Sequence, residues 1–451
     1  MSRSCEHPKK GLPPAVKKFL ALTVLCIAAL LAVLALPGGQ KNETAFLATR
    51  EAALRTPPPA ESAPPGPSLA AAPATGEHPN SEPLAATASA ANKTQPYTVS
   101  MSPMGEVRFD RVPRRVITLD ANYNDILVSL SEGGKLVATG YKGNFYDGFY
   151  EKVGVKARFD PARLTFLSSG AGGTFDKELF YKLHGDVHHI DPVQLAASRG
   201  WSKSDVDEIA RNVGPFFANR YSRDNSYGGK EPYLYYSLWD LAAKVGQVYQ
   251  RPEVIARLKS VYDEMVHHIA LQLPPPEKRP TVGLIFYGNG RFTPYSMGNG
   301  GFGQAQYRDV GARDAFASIA ARTYKGEGQA PAVLDTEGLL ALNPDILIVP
   351  FAIYPDSQAA TSRASYEQLL KLGDDPLAQR LTAFRTRRVY PGGTPLQGPV
   401  FYLFQIEMAA KQIYPEIFGP YRDDQNYPPS EQLFDRRRVA EILQSVERDQ
   451  P

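Results

Sequence analysis

Glu253 to Leu273 reads EVIARLKSVYDEMVHHIALQL. Apolar residues stand at 254, 255, 258, 261, 262, 265, 266, 269 and 273, so they share one face of a helix. Pro252 suits a helix start, where its missing N–H would be unpaired anyway. Pro274-Pro275-Pro276 stops the helix. Helical patterning already begins near Leu238, so residues 238–274 form a long helical region inside the folded part of the chain.

On both sides of it, short β-rich runs alternate with helical stretches. Arg115–Leu119, Lys135–Gly140, Val187–Ile190 and Pro215–Asn219 are strand-like, and Asn124–Leu130 is helical after the loop Asp120–Tyr123. Beyond the helical region, Thr281–Phe286, Ile346–Val349 and Arg388–Tyr390 are strands. Such alternation implies a mostly parallel sheet covered on both faces. The two flanks also echo each other. Residues 176–192 read DKELFYKLHGDVHHIDP and residues 335–351 read DTEGLLALNPDILIVPF. Asp176, Glu178, Leu183 and Asp186 match Asp335, Glu337, Leu342 and Asp345, each segment a short helix feeding a strand. The fold class is therefore α/β on both sides of the helical region 238–274, and the echo points to two related lobes, 97–237 and 275–451.

What precedes the lobes is of another kind. Phe19 to Leu36, FLALTVLCIAALLAVLAL, is apolar except for Thr23. Eighteen residues at about 1.5 Å each reach roughly 27 Å, close to a bilayer core. Arg3, Lys9, Lys10, Lys17 and Lys18 lie in the basic segment 1–18, which places that end in the cytoplasm and the rest outside. An uncleaved anchor is expected. A cleaved signal has a shorter apolar region and a small-residue site, and a lipoprotein at Cys26 lacks the small residue before the cysteine. All three export the body. Residues 37–96 are rich in Pro, Ala and Ser and carry no apolar period, so they form a disordered, semi-rigid tether.

Composition narrows the function. The net charge of the 451 residues is +3, without the basic stripe of a nucleic-acid binder. Both cysteines, Cys5 and Cys26, precede residue 30, which leaves the body without a disulfide, a thiolate zinc site or a thiol nucleophile. There are 24 Tyr and 21 Phe against 2 Trp, and tyrosine serves ligand surfaces as well as cores.

Several motifs together resemble the iron/cobalamin family of periplasmic substrate-binding proteins. They are Pro113-Arg-Arg-Val-Ile117, the long central helix, Glu337-Gly-Leu-Leu-Ala-Leu-Asn-Pro-Asp345, Asp375-Pro376 with the run to Tyr390, and the closing helix Pro399–Phe418. The resemblance spans Glu106 to the C-terminus. It departs from the family at His184-Gly185-Asp186, where the family has Asn-Pro-Asp. It implies two Rossmann-like lobes bridged by one long α-helix, with a ligand held between them: a ferric siderophore or similar iron chelate, or alternatively haem or cobalamin. It implies no catalytic residues and no resident cofactor, a monomer in the periplasm, and delivery to an ABC permease and its ATPase. It further implies that Glu178 and Glu337 dock on the permease. Without that role they are helix-start glutamates favoured by the helix dipole.

Ligands of open α/β sheets gather at the carboxyl ends of the strands. The loops there supply Asn122, Tyr123, Tyr141, Tyr146, Trp201, Arg220, Tyr221 and Arg223 from the first lobe. The second lobe supplies Tyr287, Asn289, Arg291, Tyr295, Phe351 and Tyr354. Arginine offers fixed donors to anionic chelates, and aromatic rings stack on flat ones. Rival signals are weaker. Gly298–Gly303 fits G-x-G-x-x-G but does not follow directly on a strand. His188-His189 and His267-His268 are adjacent pairs that diverge in a strand or helix, so they do not chelate a metal. An exported metal-dependent α/β enzyme is the remaining alternative.

Overall fold

A computed structural model describes residues 95–448 except 103, 141–146, 155–160, 169–172, 194, 196–198, 220–235, 296, 298–303, 318, 320–332, 354–359 and 394–397. The first compact unit, Met1–Gly76, and with it the apolar segment 19–36, lies outside the described residues. No helix among the described residues is long and apolar enough to cross a membrane. All that follows concerns the second unit.

It opens with an antiparallel hairpin that the pattern of strands did not anticipate, β1 (Tyr97–Met101) and β2 (Gly105–Phe109), whose Val99, Met101, Val107 and Phe109 face the core. Next come β3 (Val116–Thr118), α1 (Ala121–Ser129), β4 (Leu136–Thr139), α2 (Asp147–Glu151), β5 (Thr165–Phe166), α3 (Lys177–Leu183), β6 (Val187–His189) and α4 (Lys203–Asn212). These strands form a parallel sheet in the order β5-β4-β3-β6. The run at 215–219 contributes a single parallel bridge, Phe216 to His188, rather than a full strand. Just beyond, the backbone of Asn219 is taken up by the Tyr123 hydroxyl instead of a neighbouring strand. Helix α1 also begins earlier than its polar first residues indicated. Asn124 is accommodated because its side chain joins Thr118 (2.6 Å) and Thr139 (3.2 Å) in a buried polar triad.

The helical region is two helices, α5 (Leu238–Val248) and α6 (Pro252–Gln272). Val254, Ile255, Leu258, Val261, Met265 and Ile269 of α6 are buried, on the expected face. The second half follows as β7 (Thr281–Gly288), β8 (Arg291–Pro294), α7 (Ala305–Asp309), β9 (Arg313–Asp314), α8 (Thr336–Leu342), β10 (Ile346–Val349), α9 (Ala360–Leu372), α10 (Thr382–Arg385), β11 (Val389–Pro391), α11 (Pro399–Ile413), α12 (Pro415–Phe418) and α13 (Arg436–Arg448). Its parallel strands run β9-β7-β10-β11, the first sheet's order from β4 through the Phe216 bridge. Strand β8 folds back antiparallel on the end of β7.

The echo between the halves extends to hydrogen bonds. Asp176 caps α3 by accepting from the Glu178 N–H (3.0 Å), and Asp335 caps α8 by accepting from the Gly338 N–H (2.9 Å). Both helices end in a left-handed residue, His184 (φ +47°) and Asn343 (φ +38°). The departure at His184 thus preserves the backbone that ends the helix. Asp186 then accepts from the N–H groups of Arg114 and Arg115, and Asp345 from that of Thr281 (2.8 Å). Each aspartate ties the start of a strand to the entry of its half's first strand.

Both sheets are covered on both faces, which is why their strands read as nearly continuous apolar runs. Val116 and Val187 of the first sheet and Val282, Leu284, Ile346 and Ile348 of the second meet in one core with α5, α6, α11 and α13. Ile117, Leu119 and Ala138 form a separate outer core, as do Ile285, Leu347 and Val349. Adjacent His188 and His189 point into opposite cores. His188 packs on Phe180 and Phe216, while the nitrogens of His189 pair with the Phe217 carbonyl (2.7 Å) and the Tyr249 hydroxyl (3.0 Å).

Burial lowers His188 to about 3 and His189 to about 4. An unfolded chain protonates each ring near about 6.5. These rings therefore leave stability unchanged above that pH and erode it as pH falls from about 6.5 toward 4, by roughly 1.4 kcal/mol per pH unit and ring. Urea midpoints measured from pH 7.5 to 4.5 are expected to fall less steeply in His188→Leu than in the parent. Identical slopes would show that the folded ring takes up its proton normally.

Candidate functional site

In the first sheet the chain moves from β3 to β4 on one side and later to β6 on the other. In the second it moves from β7 to β9 and then to β10 across. Where strand order reverses, the loops diverge and leave a crevice at the carboxyl ends. One contact brings the carboxyl ends of the two sheets together. Asp125, on the helix leaving β3, accepts from the Phe401 N–H (3.2 Å) at the start of the helix that follows β11. Nearby, Phe149 of α2 and Ile353 beyond β10 pack on Phe401 from the two halves.

The first wall is polar. Asp120, Asn122 and Asp191 lie just past β3 and β6 and are all buried. The Oδ1 of Asn122 has no hydrogen-bond partner among the described residues. An amide oxygen left so costs about 1–3 kcal/mol unless something donates to it. Asp191 accepts from the Val193 N–H (2.8 Å). Tyr123, expected at the ligand surface, stands behind this wall instead. It is buried, its ring stacks on His189 at 5.4 Å, and its hydroxyl both donates to the Asn219 carbonyl (3.2 Å) and accepts from the Asn219 N–H (2.8 Å). Burial first, then the Asp191 and Asp120 charges, keep its phenol far above the ordinary value. Trp201 is likewise a core residue, its ring N–H spent on the Phe175 carbonyl (2.9 Å).

The second wall is aromatic. Partly buried Phe286, Tyr295 and Phe351 stand at the ends of β7, β8 and β10. Their centroids are 5.6, 6.1 and 6.5 Å apart, two pairs edge-to-face and one stacked. Phe351 holds a left-handed backbone (φ +64°), which costs an ordinary residue roughly 1–2 kcal/mol. A double hydrogen bond maintains it. The Gly393 carbonyl accepts from the Phe351 N–H (2.8 Å) and from the Gln304 side chain (2.8 Å). Gly393 has no room for a side chain, since a Cβ there would lie 1.5 Å from Gln405 Oε1. Phe286 was not a sequence candidate because it reads as an interior strand residue. Its partial exposure appears only in the folded structure.

The other expected residues separate. Successive side chains of a strand face opposite ways, so Tyr287 points away from Phe286. With Asn289, Gly290, Gln368, Lys371 and Leu372 it lines a different depression, of about 440 Å³, beside α9. Asn289 (φ +53°) and Gly290 (φ +70°) are the two-residue turn between β7 and β8, so their identity is explained by turn geometry. Arg291 is exposed at the hairpin tip, 3.9 Å from Asp335. Tyr141, Tyr146, Arg220, Tyr221, Arg223, Tyr354 and the glycine run 298–303 lie outside the described residues. Glu178 and Glu337 are exposed in the first turns of α3 and α8. Among the described residues no group of three His, Cys, Asp or Glu side chains is placed to hold a metal.

Residues 186–394 match the profile of the family described as periplasmic binding protein. Over these residues the chain is similar to that family. Among solved structures, a periplasmic binding protein from Veillonella parvula DSM 2008 superposes with a TM-score of 0.50 at 15% identity, over 72% of this chain and 92% of its own. The iron uptake ABC transporter substrate-binding protein PiuA from Streptococcus pneumoniae gives 0.49 at 14% identity, over 70% and 98%. None of the curated proteins matches the sequence. The first of these likenesses shows the fold alone, a mixed α/β body with parallel sheets.

The aromatic wall depends on Gly393. Gly393→Ala is expected to lower stability by about 1–3 kcal/mol, because Gln405 is buried and cannot withdraw freely. Thermal unfolding of the variant beside the parent checks this, and an unchanged Tm would mean that the loop is not held as described.

Proposed function

We propose that this binding protein is the extracytoplasmic solute-binding component of an ABC importer, and that it captures a ferric siderophore or a similar iron chelate. The observation that carries this is the pairing of the aromatic wall of Phe286, Tyr295 and Phe351 with the buried acceptor of Asn122 at the switch points of two like sheets. Rings of that kind stack on flat ligands at small entropy cost, and an unpaired acceptor favours a ligand that carries a donor. Residues 97–237 and 275–451 are the two lobes in this proposal, with 238–274 joining them. Arg220 and Arg223 would add fixed positive charge for an anionic chelate. The apolar segment 19–36 anchors the protein, residues 37–96 tether the lobes outside the cytoplasm, and no enzymatic turnover is involved.

Glu178 and Glu337 hold matching positions on matching helices, which supports a two-point engagement of the permease by the monomer. Charge reversal at either is expected to leave ligand affinity unchanged while reducing uptake of the iron chelate in cells. Reduced affinity in the purified variant would count against a docking role.

Intrinsic fluorescence of the full chain, titrated with ferric siderophores, haemin and cyanocobalamin, tests the ligand class. Saturable quenching by a ferric chelate is expected, weakened about tenfold in Tyr295→Ala and in Phe351→Ala. Flat titrations across the panel would overturn the iron-chelate proposal.

A further inference from the structure

The junction at Asp125 is more than a packing contact. Its carboxylate is buried, and on one side it accepts from the Phe401 N–H (3.2 Å) in the first turn of α11, with the N–H groups of Val400 and of the N-cap residue Gly398 close by. On the other it accepts from the Tyr150 hydroxyl of α2. Asp125 and Tyr150 belong to the first half, and α11 follows the last strand of the second. The carboxylate also sets the residue opposite it, since a Cβ at Gly398 would lie 2.5 Å from Asp125 Oδ2 and 2.9 Å from the Asn122 carbonyl. Phe149, one residue before Tyr150, lies 4.5 Å from Phe401 and 5.1 Å from Phe404, so an apolar clasp closes over the polar one.

We propose that Asp125 is an interlobe latch: ionised, it grips the start of α11 and fixes the angle between the halves, and protonated, it lets that angle vary. The chemistry is that of an anion at a helix N-terminus. A carboxylate there accepts several N–H bonds and meets the positive end of the helix dipole, and both interactions weaken when it takes up a proton. Burial is the largest influence on this carboxyl and brings it to about 7, against the pull of the Tyr150 hydroxyl and the three N–H groups. Among the described residues, Tyr150 is the titratable side chain facing it from α2, and α11 presents backbone N–H groups there. Asn122 and Asn124, its neighbours on α1, carry no charge. Lys152, two residues past Tyr150, turns away to the Asp424 carbonyl. The charge state of the latch is thus set mainly by external pH. The proposal rests on the two-lobed arrangement but not on any ligand.

Spin labels test it in the full chain. With Cys5 and Cys26 replaced by serine, labels at Lys203→Cys on α4 and Arg385→Cys on α10 report the distance between the halves. A narrow distribution is expected at pH 8 and a broader one at pH 6, with a midpoint near 7. Asp125→Asn should give the broad distribution at both values and abolish the transition. Tyr150→Phe removes a bond that favours the ionised form, so it should keep the transition and move its midpoint upward. That shift is one a merely structural role would not produce, and it remains readable if Asp125→Asn folds poorly. A parent distribution indifferent to pH, or a Tyr150→Phe midpoint equal to the parent's, would overturn the latch. Flat ligand titrations with a normal pH transition would instead sink the ligand proposal and spare this one.

Discussion

Helix α11 is buried along its whole length, all fifteen residues of it, and the rest of the molecule is arranged around that constraint. A helix without a solvent face must find every polar partner inside the protein. Asp125 meets the N–H groups of its first turn, and Arg388 reaches the Ile413 carbonyl at its last. Gln412 accepts from the Tyr307 hydroxyl (3.2 Å) and donates to the Pro391 carbonyl (2.9 Å). Glu407 pairs with Arg436 at 2.6 Å, and Arg436 lies over the Phe404 ring at 4.9 Å. Lys411 donates to the Phe418 carbonyl beneath the Tyr427 ring. Breaking a buried ion pair of this kind costs about 3–5 kcal/mol. These partners come from both halves and from the C-terminal segment, so satisfying one helix ties the body together.

The same helix links the core to the aromatic wall. Gln405 fills the space beside Gly393, the Gly393 carbonyl holds the Phe351 backbone, and Phe351 completes the aromatic wall. Strain at Phe351 is sustained because its surroundings hold the backbone there, the usual condition for an unfavourable conformation to persist. Tyr262 of α6 and Tyr402 of α11 both donate to the Asp309 carboxylate at the end of α7. Helix α6 is thereby fastened to α11 as well as packed on it. These polar fastenings add direction to an apolar core that runs continuously between the two sheets.

Much of this was legible in the chain. The face of α6, the parallel strands and the duplicated helix–strand unit follow from periodicity, and the matched aspartates proved to make matched bonds. The site was less legible. Asn289 and Arg291 resemble ligand-loop residues in sequence, yet the Asn-Gly pair between two strand runs is itself a turn signal. Tyr123 shares its residue type with true surface rings, and only its bonds to Asn219 and its stacking on His189 reveal a core role. Phe286 carries no local mark at all.

The sequence by itself determined the α/β class, the central helix and the internal repeat, because those depend on spacing along the chain, and spacing dictates which face of an element is apolar. Which rings reach solvent, which carboxylate meets which helix end, and which glycine has no room for a Cβ were decided by tertiary structure alone. Each depends on segments far apart in sequence, such as Asp125 and Phe401, meeting in a place that neither segment specifies.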